Sequence, residues 1–508
     1  MNKRPKQLKI KMLTGERWYG GDVMNGNDMP YGKDSQFHCR VIEKRGGHNQ
    51  VSSLLLSNLG RLIYGGEFSF KISKGVITLL FHGEKPNVIK CGNTLKDAYK
   101  KASEVVFPTD KKVPPHEFFT SIQFNDWMEV LFDQTQENVL NYAENIKKNG
   151  YPCSLLMIDD KWMDYYGKFE FHSGRFPDPK GMLDKLHEMG FKVILWETPF
   201  ITPDMVEWKR LHAKGFLVKK KDGWPSIKWW WNGYSAVLDM TNPGAVAWLK
   251  EQNDKLIAMG VDGFKFDAGD MGYYDDDDVT FEPVTPAGHC KKWCEFGLNY
   301  PYNEYRAAYN IGGKCLLQRQ NDKDHVWGRS GLGDIIPNMI CQCMMGYNYS
   351  CPDMVGGGHI GGCDNISEEL FVRYAAASAL MPMMQFSISP WRVLSEQGNQ
   401  LCLKFAKLHV EFGDYIYSLV KKCAETGEPI CRPLEYDFPN EGFIDEKSAF
   451  MLGEKYLVCP VTVEGQFKKT IKLPSGNWKY FDGREFEGGK SYEFDTPLDV
   501  LPYFCKIN

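Results

Sequence analysis

The stretch Val261–Asp270, with the sequence VDGFKFDAGD, predicts a short strand that ends in a carboxylate. Phe264 and Phe266 alternate with Lys265 and Asp267, so a strand places the lysine and the aspartate on one face. Charged side chains are rarely buried on packing grounds alone, although an ion pair that caps the strand is the alternative. In barrel enzymes, catalytic carboxylates lie at the carboxyl ends of the barrel strands. Asp267 is therefore the first candidate for a catalytic residue.

Strands and helices alternate on both sides of that stretch. The pattern predicts, in order, a helix over 135–148, a strand over 154–160, a helix over 181–189, a strand over 191–197 and a helix over 243–259. Asn242 is a suitable N-cap for the last helix, with Pro243 in its first turn. Repeated units of this kind predict a parallel sheet, and their number across about 280 residues favours a (β/α)8 TIM barrel over a doubly wound open sheet.

The flanking regions lack helical periodicity and predict two further β-rich domains. Short apolar runs separated by Gly, Asn and Lys predict an N-terminal β-sandwich over residues 1–112. The catalytic barrel then covers 113–424 and ends in a helical segment from 396 onward. Residues 425–508 predict a small C-terminal β-sandwich. The fold class is therefore α/β, with a TIM barrel between two β domains.

Composition excludes several kinds of partner. The chain has 508 residues and a net charge of -4, which gives no reason to expect nucleic acid or an anionic membrane as a partner. No apolar run follows the basic N-terminus and none is long enough to span a membrane, so we expect a cytoplasmic protein. The 15 cysteines of such a chain are expected to be reduced. Oligomeric state stays open, and a homo-oligomer is compatible with the sequence.

Two clusters resemble parts of metal sites. Cys290 and Cys294 with His289 could form half a zinc site, but no second Cys/His pair with suitable spacing follows. The four carboxylates Asp275–Asp278 are read as a solvated loop rather than a calcium site. We therefore expect neither a metal nor an organic cofactor.

A second acid strengthens the case for chemistry at Asp267. Asp322 lies in the polar loop Asn321–Trp327, before an apolar run. Retaining glycosidases use two carboxyl groups, one that attacks the anomeric carbon and one that protonates the leaving oxygen and then deprotonates water. Such sites separate the two pKa values, so that one group stays ionised while the other holds a proton. Lys265 on the same face as Asp267 favours its ionised form.

Several other side chains are placed to line a cleft. Asp159 and Asp160 end an earlier predicted strand, where they either bind vicinal hydroxyls or remain solvated acids. Trp196 ends the next strand. Trp229–Trp231 cannot all be core in one strand, because neighbours face opposite sides, so at least one should line a cleft or a domain contact. The glycine loop 356–361 fits G-x-G-x-x-G, but its late position and the residues before the next helix make it a weak dinucleotide motif.

Taken together, these motifs resemble glycoside hydrolase family 31, the retaining α-glycosidases. The segments that carry the resemblance are Trp18–Gly21, Met157–Trp162, Leu195–Phe200, Gly263–Asp267 and Met451–Val461. The resemblance covers nearly the whole chain, and these segments are specific together although no single one of them is.

The resemblance implies a role for individual residues. The family nucleophile falls on Asp267, and the acid/base, an Asp followed five residues later by Trp, falls on Asp322. The family arginine sixteen residues earlier falls on Arg306, which by pattern alone would be a surface helix arginine. The late strand-end aspartate falls on Asp353. Substrate-binding side chains are then expected at Asp159, Asp160, Trp196, Trp230, Trp231, Lys265, Arg306 and Asp353.

Two departures point to one branch of the family. Asp267–Asp270 reads DAGD where the α-glucosidases have Asp-Met-Asn-Glu, and Ser389–Arg392 replaces their late Arg-x-His. Both features resemble the branch that is similar to α-galactosidases. The resemblance therefore implies an oligosaccharide or glycoside substrate, with a terminal α-galactoside preferred over an α-glucoside. A sulfoquinovosidase, a transglycosylase and a catalytically silent sugar-binding or scaffold protein remain alternatives.

Overall fold

The structure is a computed structural model that describes residues 4–43 and 48–507. Its N-terminal part contains two β-sheets. The first has the strand order Lys6–Lys11, Val76–Phe81, Phe68–Ser73 and Phe37–Cys39. The second contains Trp18–Asp22, Gln50–Ser57, Arg61–Tyr64 and Asn87–Lys90, and it takes in Ala308–Tyr309 from the barrel region. The buried side chains of both sheets belong to one core, which confirms the predicted N-terminal β-sandwich.

The central part is a parallel barrel. Its strands, in chain order, are Ile122–Asn125, Cys153–Ile158, Lys192–Glu197, Gly263–Phe266, Tyr302–Tyr305, Gln318–Arg319, the two halves Ser350–Cys351 and Met354–Val355, and Gln385–Phe386. Every pairing between neighbours is parallel. The two halves stand for one strand, so the barrel has eight positions. This confirms the (β/α)8 barrel, and the doubly wound alternative is wrong.

The seventh strand of the barrel is interrupted at Pro352 and Asp353. Ser350–Cys351 pairs with the sixth strand, whereas Met354–Val355 pairs with the eighth. Proline cannot donate to a sheet ladder, and Asp353 has a φ of 108°. Such a backbone is strained for a residue with a side chain, and strain of this kind is common at functional sites.

Helices surround the barrel and follow it in the chain. Their bounds are Glu117–Thr120, Trp127–Val130, Gln136–Lys148, Pro179–Glu188, Val206–Lys214, Pro243–Met259, Pro286–Gly297, Leu332–Met344, Glu368–Ser378, Pro390–Val393 and Glu396–Thr426. Another helix, Leu95–Val105, lies in the N-terminal part, and Leu434–Asp437 lies in the C-terminal part. Asn242 caps the helix that begins at Pro243, as predicted, by accepting a hydrogen bond from the backbone N–H of Gly244.

A small antiparallel sheet extends from the end of the third barrel strand. It consists of Phe200–Ile201, Gly233–Val237 and Lys228–Trp230. The hairpin within this sheet forms an ion pair with the acidic loop Asp275–Asp278: Lys228 Nζ lies 2.6 Å from Asp278 Oδ2. The Asp278 side chain is nearly buried, whereas Asp276 and Asp277 are exposed, so the predicted solvated loop has one buried end. Lys220, which precedes the hairpin in the chain, also lies 3.0 Å from Asp278, so two lysines compensate the charge of this carboxylate.

The C-terminal part contains a six-stranded and a two-stranded sheet. The larger has the order Cys431–Arg432, Phe450–Leu452, Tyr456–Val458, Tyr503–Ile507, Asn477–Tyr480 and Glu485–Glu487, and the smaller pairs Lys468–Lys472 with Ser491–Asp495. Trp478 and Phe504 are central to its own core. This confirms the predicted C-terminal β domain, while the boundaries at 112 and 424 stay predictions. Over the described residues, no helix combines the length and the apolar character that crossing a membrane requires.

Candidate active site

A cavity of about 470 Å³ opens at the carboxyl ends of the barrel strands. It is lined by Met24, His48, Asn49, Trp127, Asp159, Asp160, Trp196, Trp231, Lys265, Asp267, Asp270, Tyr273, Arg306, Arg319, Asn321, Asp322, His359 and Ile360. Eight of the ten residues that the sequence singles out are therefore brought together, and the other two, Trp230 and Asp353, lie behind the lining. Pockets of 300–1,000 Å³ are typical of small-molecule sites.

Asp267 lies directly after the fourth barrel strand and receives three hydrogen bonds. Its Oδ1 accepts from Arg306 Nε at 2.8 Å and from the backbone N–H of Ala268 at 2.7 Å. Its Oδ2 accepts from Trp196 Nε1 at 2.9 Å. Burial by itself would raise the pKa of Asp267, but the positive charges of Arg306, Lys265 and Arg319 outweigh it. The pKa is therefore held well below its usual range, and Asp267 is ionised.

Arg306 is fixed by two partners besides Asp267. Its Nη2 donates to Asp270 Oδ2 at 2.7 Å, and its Nη1 donates at 3.1 Å to Asp270 Oδ1 and to Asn49 Oδ1. Arg306 follows the strand Tyr302–Tyr305 and is largely buried, so its reading as a surface helix arginine is wrong. Asn49 comes from the N-terminal sandwich, and that domain thus completes the wall behind the nucleophile candidate.

Asp322 has a different environment from Asp267. It lies in the loop after the sixth barrel strand, and its Oδ1 accepts from Arg319 Nη1 at 2.8 Å. The side chain of Asp322 is 38% exposed, whereas that of Arg319 is 1% exposed. One oxygen of Asp322 is thus bound by a buried guanidinium, and its other oxygen, Oδ2, is open to the cavity and to water.

Asp353 lies beneath the cavity rather than in its lining. Its side chain is fully buried. Its Oδ1 accepts from Arg319 Nη1, and its Oδ2 accepts from the backbone N–H of Lys323 at 2.7 Å. Burial raises the pKa of Asp353 to about 6, although Arg319 opposes this rise. Both oxygens of Asp353 accept hydrogen bonds inside the protein and the residue lies outside the cavity lining, so its contact with a sugar stays a prediction.

The floor of the cavity is a buried ion pair. Lys265 Nζ donates to Asp159 Oδ2 at 2.6 Å, and both side chains are 4% exposed. The same Asp159 oxygen accepts from Asn125 Nδ2 at 2.8 Å. Burial opposes the charge on Lys265, but the Asp159 carboxylate outweighs it and raises the pKa of the lysine. The prediction that Lys265 and Asp267 share one face of the strand is confirmed, since both line the cavity.

Asp160 forms the wall beside this floor. It accepts from Tyr166 Oη at 2.9 Å and from Asn232 Nδ2 at 3.0 Å. Burial raises the pKa of Asp160, and nearby Lys161 offsets part of that rise. The tip of the Trp-rich hairpin, at Asn232, is thereby anchored to the end of the second barrel strand.

The three consecutive tryptophans occupy three different environments. Trp230 is 1% exposed and stacks on Phe200, with 4.4 Å between ring centroids. Trp231 is 47% exposed and lines the cavity, and the Arg306 guanidinium lies 5.9 Å from its ring centroid. Trp229 is 69% exposed and faces away. Trp230 lies outside the cavity lining and packs behind it, so its contact with substrate stays a prediction.

Sequence reasoning did not find Arg319, Asp270, Asn49 and His359 as parts of the site. Asp270 differs from the α-glucosidase motif in the sequence, and in the structure it is a partner that fixes Arg306. Arg319 lies in a two-residue strand that carries no detectable periodicity. The glycine loop 356–361 borders the cavity through His359 and Ile360.

The cavity lining contains no cluster suited to a metal among the residues that the structure describes. The group of side chains that converge with suitable spacing is Asp275, Asp277 and Asp278, outside the cavity. Cys290 and Cys294 are buried on the helix Pro286–Gly297, and the adjacent His289 accepts from the backbone N–H of Met240 at 3.1 Å. What the cavity offers instead is acid, base and nucleophile chemistry from its paired carboxylates.

Profiles of known families match most of the barrel and the C-terminal domain. The description "Glycosyl hydrolases family 31 TIM-barrel domain" fits residues 121–332, and "Glycosyl hydrolase family 31 C-terminal domain" fits residues 427–508. The myogenesis-regulating glycosidase of Mus musculus is 31% identical, over 81% of this chain and 60% of its own length. An isomaltosyltransferase of Sporosarcina globispora is 27% identical, over 82% of this chain and 42% of its own length. The chain thus spans 42–60% of these two relatives.

Solved structures share the fold. A family 31 dextranase of Flavobacterium johnsoniae superposes with a TM-score of 0.86 at 20% identity, over 98% of this chain and 66% of its own. A cycloalternan-degrading enzyme of Trueperella pyogenes gives a TM-score of 0.85 at 20% identity, over 99% of this chain and 80% of its own. At 20% identity the likeness shows the fold alone, and the assignment to a family depends on the matched profiles. The chain belongs to glycoside hydrolase family 31.

Proposed function

We propose that this protein is a retaining, exo-acting α-glycosidase. The observation that supports it best is the contrast between two acids in one cavity. Asp267 is held ionised by three hydrogen bonds, and Asp322 has one partner and access to water. A retaining glycosidase needs one carboxylate of each kind.

In the first step Asp267 attacks the anomeric carbon. The bond from that carbon to the leaving oxygen breaks, and Asp322 donates its proton to the oxygen. Arg306 and Trp196 hold Asp267 in place through N–H groups, so little reorganisation is needed when its charge moves into the new bond. The product of the step is a covalent glycosyl-enzyme.

In the second step Asp322 is a base. It takes a proton from a water molecule, whose oxygen attacks the anomeric carbon and displaces Asp267. The sugar leaves with its original anomeric configuration, because the carbon has been inverted twice. The partial exposure of Asp322 provides the path by which that water arrives.

The closed floor of the cavity favours cleavage at the end of an oligosaccharide. Asp159 and Lys265 are buried at the bottom of the cavity, and both carry groups that bind hydroxyls. A terminal sugar can enter this floor, whereas a sugar in the middle of a chain would need an opening on both sides. We therefore propose exo action on a terminal α-glycoside.

We propose α-galactoside as the preferred substrate, with α-glucoside next. The axial 4-hydroxyl of galactose needs a donor or acceptor at a position where glucose has none. Lys265 supplies a charged donor in the floor, and Trp231 offers a ring face beside it. The mouse relative is named only as a glycosidase, and the Sporosarcina globispora relative as an isomaltosyltransferase, so the preference rests on the cavity and on the departures in its motifs.

A sulfonated sugar is less suited to this cavity. Each lysine and arginine in the described lining is already within reach of a carboxylate: Lys265 of Asp159, Arg306 of Asp267 and Asp270, and Arg319 of Asp322. A sulfonate would need a cation that is free of such a partner. The same balance of charges favours a neutral sugar.

The test is a panel of p-nitrophenyl α-glycosides with galactosyl, glucosyl, xylosyl and sulfoquinovosyl groups. We expect the highest kcat/KM with α-galactoside, and proton NMR should show the α-anomer as the first product. A catalytically silent protein would turn over none of the panel, and an inverting enzyme would release the β-anomer; either result would refute the proposal. Transfer to a second sugar at high sugar concentration would indicate a transglycosylase.

A further inference from the structure

Arg319 lies at the centre of a buried group of charges beneath Asp322. It is on the sixth barrel strand and is 1% exposed. One nitrogen, Nη1, donates both to Asp322 Oδ1 and to Asp353 Oδ1, so the two carboxylates share a single donor atom. Its Nε also lies 3.5 Å from Glu304 Oε1. Three carboxylates thus converge on one guanidinium.

The second cation of the group compensates only part of this negative charge. Lys323 is buried next to Asp353 and donates its backbone N–H to that carboxylate. With Arg319 and Lys323 both charged, two positive charges face three carboxylates, so one negative charge is in excess. Like charges that share a site disfavour each other's ionised form, and one of the carboxylates then holds a proton more readily.

Other titratable groups surround the unit, and the charged ones among them are either paired or negative. From the neighbouring strands it faces the Lys265–Asp159 pair and Asp267, which Arg306 compensates. The remaining groups that face it are Asp334 on the helix Leu332–Met344, the thiols of Cys351 and Cys363, and the hydroxyl of Tyr374. None of these adds a cation that would cancel the excess.

We propose that Asp353 is a positioning residue for the acid/base, and that Asp322, Arg319 and Asp353 hold the catalytic proton as one unit. Arg319 alone would favour the ionised form of Asp322 and make it a poor acid. The Asp353 carboxylate accepts a hydrogen bond from the same nitrogen, Arg319 Nη1, and its negative charge offsets that effect. Asp322 can therefore carry a proton into the first step. When the proton moves to the leaving oxygen, Arg319 stabilises the new charge on Asp322, and the proton taken from water in the second step restores the unit. This inference rests on the proposed function.

Burial is the main cause of the raised pKa of Asp353, and the negative charge of the nearby Asp322 adds to it, although Arg319 opposes the rise. The strained backbone at Asp353 places its carboxylate between Arg319 and the chain at Lys323. Both features make this aspartate part of the support for Asp322.

The test is the pH dependence of kcat/KM for Asp353→Asn with an alkyl glycoside, whose leaving group needs protonation. We expect the basic limb, which reports loss of the acid's proton, to move to lower pH by about one unit, because a like charge has been removed. Arg319→Gln should move the same limb to higher pH, since it removes the opposing cation. With the glycosyl fluoride of the same sugar, which needs no acid, Asp353→Asn should match the wild type within about threefold.

Two results would overturn the inference. One is a basic limb that stays within 0.2 pH units of the wild type in Asp353→Asn, and the other is an equal loss with both substrates, which would mean a merely structural role. If the wild type hydrolyses no glycoside, the proposed function fails instead, and a second measurement remains. The 13C resonance of the Asp322 carboxyl, assigned by its absence in Asp322→Asn, should titrate at lower pH in Asp353→Asn; an unchanged titration would refute the inference without any turnover.

Discussion

Asp267 and Asp322, on two sides of the cavity, differ in hydrogen bonding, in neighbouring charge and in exposure. Asp267 is buried, receives three hydrogen bonds and faces three cations that hold its pKa down. Asp322 receives one hydrogen bond, from a guanidinium that it shares with Asp353, and its side chain is 38% exposed. The same residue type is therefore prepared for two tasks by its neighbours alone.

The number of donors explains the difference between these tasks. A nucleophile must be ionised at every stage before attack, and each N–H that points at it favours the ionised form. An acid/base must gain and lose a proton in each cycle, so its two forms have to be close in free energy. One shared donor and contact with water meet that second requirement.

The largest effect is expected for Asp267→Ala. Loss of the nucleophile should lower kcat by at least about 10³-fold with little change in fold. Added azide should fill the space, attack the same carbon once and release the β-glycosyl azide. The measurement is turnover with and without azide, with product analysis by NMR. Retention of more than a few per cent of activity without azide would show that Asp267 is not the nucleophile.

The next effect is expected for Asp322→Ala, and it should depend on the leaving group. Poor leaving groups need the proton, so their kcat/KM should fall by about 10²–10⁴-fold, whereas a glycosyl fluoride should lose much less. Azide should then attack the glycosyl-enzyme and give the α-glycosyl azide, the opposite anomer to that from Asp267→Ala. The same anomer from both variants would contradict the division of roles.

Local periodicity made part of this comparison predictable. Alternation over Phe264–Asp267 predicts correctly that Lys265 and Asp267 lie on one face, since a strand repeats every two residues. The helix that begins at Pro243 was predicted from its cap and its first turn. These features depend on neighbours a few residues apart, which a sequence displays directly.

The remaining features depend on contacts between distant parts of the chain. Arg319 lies in a strand of two residues, too short to show a pattern, and its role comes from Asp322, Asp353 and Glu304 meeting around it. The alternation of Trp229–Trp231 predicted that they could not all be core. It could not tell which one faces the cavity, because that depends on how the hairpin packs against Phe200.

A smaller effect is expected for Arg306→Gln. The variant removes the nearest cation from Asp267, so the pKa of that carboxyl should rise from its depressed value. Asp267 would then be protonated at a higher pH than in the wild type, and the acid limb of kcat/KM should move up by about 1–2 pH units. Arg210→Gln, which removes an exposed arginine paired with Glu207, is the matched control. An acid limb that does not move would show that Arg306 does not set the charge of Asp267.

The smallest catalytic effect is expected for Trp231→Ala. Trp231 offers a ring face to the cavity, so its loss should raise KM by about tenfold and leave kcat within about threefold, because contact with the sugar is similar before and during reaction. Its two neighbours are the controls. Trp229→Ala, at an exposed ring outside the cavity, should change neither constant, and Trp230→Ala should instead lower the free energy of unfolding by about 3–5 kcal/mol. Equal changes in KM for Trp229→Ala and Trp231→Ala would mean that substrate binds along the hairpin rather than in the cavity.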